Sequence, residues 1–584
     1  TTAPELLAEA IRLRNSIVRQ EFLYGEGMAE EIFERLSPDD LNVNRIGGAL
    51  WERYTEPQLR VLLNPIHTAS RLARSYFYRF FTFVEKEHIL AKLGNARKEG
   101  SGFASTWNDT LDEKQQSGNI YDRLRIVSKE YGDAENGGID LVTLEIPAQE
   151  EDCFLPNFRI GDIAILYAYP MEEVPDARKS AVLRCSVKSL TPQRITVKLR
   201  APQKNEHLFV RPENYRWAIE HDFVESSFST LYRGLYAFLS ATQERRALLL
   251  NQRMPQIDPS LCLKGDYSCG GASPEFNHLV LMAKQAQDYF ILIGPPGTGK
   301  TSFGLVNILK ETLMEADQSV LLVSYTNRAV DEICSKLVKH HIDFIRIGSG
   351  VSCDEAYQPY LLENKVNVCS NASAIRELIA RTRVFVGTTT ALSGNIHLFG
   401  IKHFDLAIVD EASQILEPHL LPLLSARMDD GRDAIRKFIL IGDQKQLPAV
   451  VMQSDVESEV SDPLLREQAG VTNCRISLFE RLLKLRKGDD RLVYCMEKQG
   501  RMHPDVSRFP NMAFYQTRLK PVPLTHQCHE LHFPVHAGEG LDFLLATRRI
   551  LFFPSDYPPP SHSIKVNLPE ARLIAEIVHT CWEL

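Results

Sequence analysis

Three short apolar runs punctuate the second half of the chain: residues 289–293 (YFILI), 404–409 (FDLAIV) and 437–441 (KFILI). Each has the length of a strand, and each stops at a glycine or an acidic residue where the chain must turn. After the first run, Phe303, Leu305, Val306, Ile308 and Leu309 recur at helical spacing. The pattern therefore predicts a strand, a Gly-Pro-Pro-Gly turn and a helix in succession. The first half has two textures. Residues 1 to about 135 predict mostly helix, and 57–93 are periodic and rich in aromatics, including SYFYRFFTFVEKEHIL at 75–90. That string predicts a long helix packed on its neighbours. Residues 97–118, polar and glycine-containing, predict a loop. From Ile139 to about Arg211 the period becomes two. FRIGDIAILYAY (158–169), AVLRCSVKSL (181–190) and RITVKLR (194–200) read as strands of a small barrel, with Ile195, Val197 and Leu199 alternating with Thr196, Lys198 and Arg200. Residues 216–253 return to a helical pattern, a stalk carrying Trp217, Phe223, Phe228, Tyr232, Tyr236 and Phe238.

The chemistry sits where the apolar runs end. Gly294-Pro295-Pro296-Gly297-Thr298-Gly299-Lys300-Thr301 has the GxxxxGKT spacing of a phosphate loop in the strand–turn–helix context that motif needs. Its glycines let the backbone close around phosphates, and its amides and the helix N-terminus supply positive potential. Ser302 completes the turn. Lys300 is placed to reach the β- and γ-phosphates, and the Thr301 hydroxyl to ligate Mg²⁺. The second run delivers Asp410 and Glu411. Asp410 is the expected Mg²⁺ carboxylate, and Glu411 the expected base for an attacking water. Past the third run, Gln446 is the expected reporter of the γ-phosphate, and Arg501 the candidate arginine finger.

Four strings in this order, GPPGTGKT, VDEASQ (409–414), GDQKQLP (442–448) and QGRMHP (499–504), resemble the superfamily 1 helicases of the 5′-to-3′ type. The likeness is to the group holding the nonsense-mediated-decay RNA helicase, senataxin and the Okazaki-fragment nuclease-helicase, and it covers roughly 275–580. SYTNRAVD (324–331), VGTTT (386–390), SLFERL (477–482) and VNLPEA (566–571) also match family strings. The resemblance implies an α/β fold: a RecA-like P-loop lobe with a parallel sheet, preceded by a helical region and a small β-barrel and followed by a second RecA-like lobe that is cut short. It implies ATP and Mg²⁺ as cofactors and single-stranded DNA or RNA as partner. Asn327, Arg328, Thr388, Thr389 and Thr390 would contact the nucleic-acid backbone, which carries no sequence information. Two positions depart from the family. Val280 stands where an adenine-recognising glutamine is usual, three residues after Asn277, and Gly500 stands where a base-stacking aromatic is frequent. Both departures imply weaker base recognition.

The expected domains are a helical region at 1–136, a barrel at 137–215, a stalk at 216–272, the ATPase lobe at 273–498 and the start of the second lobe at 499–584. Opening on Thr-Thr and ending inside a lobe, the sequence reads as a piece of a longer protein. A carboxylate nuclease site is not evident, since Glu85-Lys86-Glu87 falls on a helical pattern, but a nuclease domain could lie upstream. The net charge of −8, from 67 basic and 75 acidic residues, leaves room for a local basic channel. Eleven cysteines without a CxxC pair predict reduced thiols and a cytoplasmic setting, and no apolar run has transmembrane length. His526, Cys528, His529, His532 and His536 are zinc-capable residues, but their spacing fits no familiar zinc pattern. Residues 455–462 read as an acidic loop. Besides a translocating helicase, two other readings fit: the motor half of a nuclease-helicase in repair or phage defence, and an ATP-gated clamp on nucleic acid or protein that does not translocate.

Overall fold

The computed structural model describes residues 35–42, 45–93, 109–132, 137–147, 156–222, 226–269, 273–529, 540–554 and 567–583. They belong to two compact units, one made of 1–89 with 225–497 and the other of 90–224 with 498–584. Two helices, α1 (Glu56–Thr68) and α2 (Arg71–Leu93), open the first unit.

The second unit holds a short helix, α3 (Leu111–Gln116), and six strands: β1 (Ile120–Tyr131), β2 (Ile139–Glu145), β3 (Ile163–Pro170), β4 (Leu183–Leu190), β5 (Arg194–Gln203) and β6 (Tyr215–His221). They close into a barrel in the order β1-β2-β5-β4-β3-β6. Leu124, Val142, Val187, Val197 and Ile219 fill its interior and are fully buried. In β5 the alternation is as expected: Ile195, Val197 and Leu199 point inward, while Lys198 pairs with Asp140 at 3.6 Å.

The barrel is wider in sequence than 137–215, and the difference corrects three expectations. Residues 120–131 are strand, not helix. The register of β1 shifts between Tyr121 and Leu124, with Arg123 at φ +57°, so its buried side chains fall three apart and mimic a helical period. Trp217 lies on β6, buried beside Phe209, and is not part of a stalk. Within 97–118, residues 111–116 are helical under a Thr110–Glu113 capping box. Lys114 of that helix is buried in an ion pair with Glu220 (3.0 Å), which also accepts the Tyr167 hydroxyl. Residues 97–108 and Phe223 lie outside the described residues. In the same unit, Lys498–Gln499 pairs in parallel with Lys520–Pro521.

In the first unit, α4 (Ser226–Ser240) and α5 (Glu275–Gln285) precede a seven-stranded sheet. Its strands are β7 (Tyr289–Ile293), β8 (Val320–Ser324), β9 (Ile345–Ile347), β10 (Val384–Thr388), β11 (Phe404–Val409), β12 (Ile435–Gly442) and β13 (Val493–Cys495). The order is β13-β7-β12-β11-β8-β10-β9, and every pair is parallel. Strands buried on both faces need continuous apolar sequence, which is why the three runs were legible. Helices α6 (Val306–Leu313), α7 (Asn327–Lys339), α8 (Thr389–Gly394), α9 (Glu417–Leu424) and α10 (Leu478–Leu485) follow their strands.

Helix α2 does not belong to a separate N-terminal domain. Tyr76, Phe77, Phe80, Phe81, Phe83 and Val84 are at most 1 % exposed, and a helix that apolar must be enclosed. It packs on α4 through Tyr76–Phe238 (4.6 Å between ring centroids), Phe81–Tyr232 (5.1 Å) and His88–Phe228 (4.4 Å). Helix α4 in turn lies so close to α9 that a Cβ on Gly234 would come 2.6 Å from Pro422 Cδ. At the centre of these helices the Glu417 carboxylate accepts from the Tyr76 hydroxyl (2.7 Å) and from Arg481 Nε (2.9 Å). Glu87 of α2 accepts from the backbone amides of Met452 (2.9 Å) and Gln453 (2.8 Å) and from Gln453 Nε2 (2.9 Å). The segment that follows, read as a loop, begins with a helical turn at Asp455–Ser458 capped by Ser454 and Glu457.

Candidate functional site: the carboxyl ends of β7, β11 and β12

Parallel order brings the ends of β7, β11 and β12 side by side, and ligands of open α/β sheets bind at such carboxyl edges. The phosphate loop leaves β7 at Gly294, whose amide donates to Gly442 O at the end of β12 (2.9 Å). A Cβ at Gly294 would lie 2.5 Å from Lys300 Cβ, so the loop folds back on itself there. Gly297 (φ +78°) and Gly299 (φ +79°) adopt left-handed backbone that favours glycine. Thr298 closes the turn, donating from its hydroxyl (2.7 Å) and its amide (3.2 Å) to Pro295 O. Pro295 is buried; Pro296 and Ser302 are half-buried on the two sides of the loop.

Lys300 Nζ lies 2.7 Å from Glu411 Oε1, and the Thr301 hydroxyl donates to Asp410 Oδ2 at 2.7 Å. The four residues expected to handle phosphate, metal and water are therefore in one place. Burial pushes the Asp410 carboxyl up to about 6; the Glu411 charge adds to the rise, and the Thr301 hydrogen bond opposes it. Glu411 sits at φ +55°, an uncommon conformation for a residue with a side chain, and its strain is held by the surrounding strands. Gln446 Nε2 donates to Asp443 Oδ2 (3.0 Å), which fixes the amide at the end of β12.

Two further residues within the same strings support the site. Ser413 Oγ accepts from the Asp443 amide (3.1 Å), and Gln414 Nε2 reaches Glu411 Oε2 (3.5 Å). They tie β11's turn to β12 and to the expected base. Glu87, by contrast, had no local signal.

The expected nucleic-acid contacts divide. Asn327 and Arg328 are exposed at the start of α7, capped by Thr326. Thr390 is exposed as well. The Thr388 hydroxyl instead accepts from the Ala391 amide (3.1 Å) as the cap of α8, and Thr389 is 1 % exposed. Of these two, the first serves as a helix cap and the second occupies a core position. Arg501 belongs to the second unit. It is exposed, in a turn where Gln499 Oε1 accepts from the amides of Arg501 (3.1 Å) and Met502 (2.8 Å). Val280 is 1 % exposed in the core, and Asn277 is engaged with Tyr267 N (2.6 Å) and Asp266 (2.8 Å). His526 Nε2 lies 2.8 Å from Gly500 O, while His532 and His536 are outside the described residues. No helix among the described residues is long and apolar enough to cross a membrane.

Comparison with known proteins agrees with this geometry. Residues 276–382 and 368–454 match one AAA domain family, and residues 474–582 match another. The chain is 30 % identical over 314 residues to the DNA replication ATP-dependent helicase/nuclease JHS1 of Arabidopsis thaliana, an alignment taking in 52 % of this chain and 21 % of that protein. It is 31 % identical over 296 residues to the DNA replication ATP-dependent helicase/nuclease DNA2 of Bos taurus, covering 48 % and 25 %. The human DNA2 is 29 % identical over 335 residues, covering 54 % and 28 %. The chain thus aligns with about a quarter of the length of these relatives. Among solved structures, the arterivirus nonstructural protein 10 helicase is similar at 13 % identity and a TM-score of 0.29, over 68 % of this chain and 60 % of that one. Motif order, the parallel sheet that presents it and these relatives together support the resemblance to the superfamily 1 helicases, in the group of the Okazaki-fragment nuclease-helicase.

Proposed function

We propose that the protein is an ATP-dependent motor that moves 5′ to 3′ along single-stranded nucleic acid and opens duplexes. The observation that carries this reading is the joining of Lys300, Thr301, Asp410 and Glu411 at one sheet edge, with Gln446 anchored on the neighbouring strand.

Hydrolysis follows from that arrangement. Lys300 is paired with Glu411. A γ-phosphate entering the loop offers Lys300 a stronger anionic partner and releases the Glu411 carboxylate. Glu411 then accepts a proton from the attacking water as its oxygen bonds to the γ-phosphorus and the bond to the bridging oxygen breaks. The adjacent oxygens of Thr301 and Asp410 suit a hard divalent cation, whose charge would favour the ionised Asp410 carboxylate that burial disfavours. Mg²⁺ bound there would neutralise charge on the β- and γ-phosphates. Gln446 senses the γ-phosphate, and Arg501 serves as the arginine finger. Asn327, Arg328 and Thr390 offer exposed donors to the strand's backbone, so the motor holds its track without reading sequence.

The relatives named as DNA replication helicase/nucleases favour DNA as the track and favour this chain as the motor part of such an enzyme. ATP hydrolysis measured alone, with single-stranded DNA and with single-stranded RNA tests the reading. Strong stimulation by DNA is expected. Stimulation by neither would leave the non-translocating clamp.

A further inference from the structure

We infer that Phe303, stacked on Phe276 beside the phosphate loop, is the surface on which the nucleotide's base rests, and that it makes the site tolerant of different bases. The inference rests on the nucleotide-binding reading above and concerns which nucleotides the site takes.

A protein recognises a base by its edge, through hydrogen bonds, or by its face, through stacking. Edge recognition from α5 is closed. Val280 is buried and apolar, and the Asn277 amide is already shared between Tyr267 N and Asp266. A face is offered instead. Phe303 is 45 % exposed although it is aromatic and lies only three residues past Lys300. Its position is fixed from two sides. Its amide donates to Gly299 O (2.8 Å), and its ring presses on the loop so closely that a Cβ on Gly299 would lie 2.6 Å from Phe303 Cδ2. The ring also stacks on Phe276, with centroids 5.2 Å apart and planes 20° from parallel. An aromatic ring pre-positioned on the rim of a phosphate loop, with nearly half the residue in solvent, is a platform for a flat apolar ring. The triphosphate's far end is fixed toward Lys300 and Glu411, and the base lies at the opposite end of the same molecule. Every base has a π-face, so a platform without an edge reader discriminates little. Purines should exceed pyrimidines modestly, because they cover more of the ring.

The test is equilibrium binding of ADP, GDP, CDP, UDP and inorganic tripolyphosphate, with Mg²⁺, to the complete protein and to its Phe303→Ala and Phe303→Tyr variants. The four diphosphates should bind the unaltered protein within about tenfold of one another. Phe303→Ala should weaken all four about tenfold, the scale of one lost stack, and leave tripolyphosphate unchanged. Phe303→Tyr should restore them. A preference for ADP of about a hundredfold, or nucleotide affinities unchanged in Phe303→Ala, would overturn the inference. So would an equal loss for tripolyphosphate, which would show that the ring only shapes the loop. If neither tripolyphosphate nor any nucleotide binds the unaltered protein, it is the phosphate site itself that falls.

Discussion

Two buried carboxylates in the first unit, Asp410 at the end of β11 and Glu417 seven positions later on α9, have opposite fates. Glu417 is fully buried and satisfied: Arg481 supplies the opposite charge, and the Tyr76 hydroxyl a further donor. The pair holds α2, α9 and α10 together. Asp410 is buried too, yet its nearest donors are a hydroxyl and a backbone amide, while the adjacent lysine is engaged by Glu411. Its carboxyl is pushed up to about 6 as a result. A structural site completes its own charges. Asp410 has no opposite charge of its own in contact, which fits the cation and anion site proposed above.

The comparison can be broken from either side. Lys300→Ala should cut ATP hydrolysis about 10³-fold or more, because the lysine acts on charge at the phosphate, while the melting temperature barely moves. Arg481→Met should do the reverse. Leaving Glu417 buried without its partner should cost ~3–5 kcal/mol, seen as a lower urea midpoint for the motor lobe, and adding Glu417→Leu should recover most of it. Asp410→Asn sharpens the contrast through pH. The folded-state value lies above the ordinary carboxylate value, so Asp410's contribution to stability is full below pH ~4 and is lost as pH rises through about 6. The ligand-free protein should therefore lose up to ~3 kcal/mol across that window. The Asn variant should lack that slope and should also lose hydrolysis; an unchanged slope would mean Asp410 is not the group that titrates. The smallest effect is expected at Glu87→Gln, which leaves one of its hydrogen bonds to the Met452–Gln453 segment unmade. It should cost ~1–2 kcal/mol and raise amide exchange at Met452 and Gln453 without altering nucleotide affinity.

What the sequence revealed follows from the range of the forces involved. Doubly buried strands must be apolar throughout, so β7, β11 and β12 announced themselves, and the chemistry had to follow at their ends. The barrel's β5 was equally plain because its two faces differ. Its first strand was not, because the irregularity around Arg123 shifts the buried positions from a spacing of two to one of three. β6 carries Ala218 and the buried Glu220, whose partner Lys114 is supplied by a helix more than a hundred residues away, and no local pattern shows such a pair. The same limit applies at the site. Local strings delivered Lys300, Thr301, Asp410 and Glu411, whereas the capping role of Thr388 and the burial of Thr389 depend on how α8 leaves its strand. The Glu87 contact joins residues 365 positions apart and is invisible until the chain is folded.

The ring pairs along α2 and α4 run in opposite senses: His88 meets Phe228, Phe81 meets Tyr232, and Tyr76 meets Phe238. The two helices are thus the arms of a helical hairpin, and between Leu93 of one arm and Ser226 of the other the sequence carries strands β1 to β6. In sequence order, the whole barrel stands where such a hairpin would have its turn. An insertion between two helices that are already packed on each other is the kind a host fold tolerates, because their mutual contacts do not depend on it. A barrel inserted in this way would act as a cassette: replacing residues 94–225 with a short Gly/Ser turn should leave the first unit's melting transition in place.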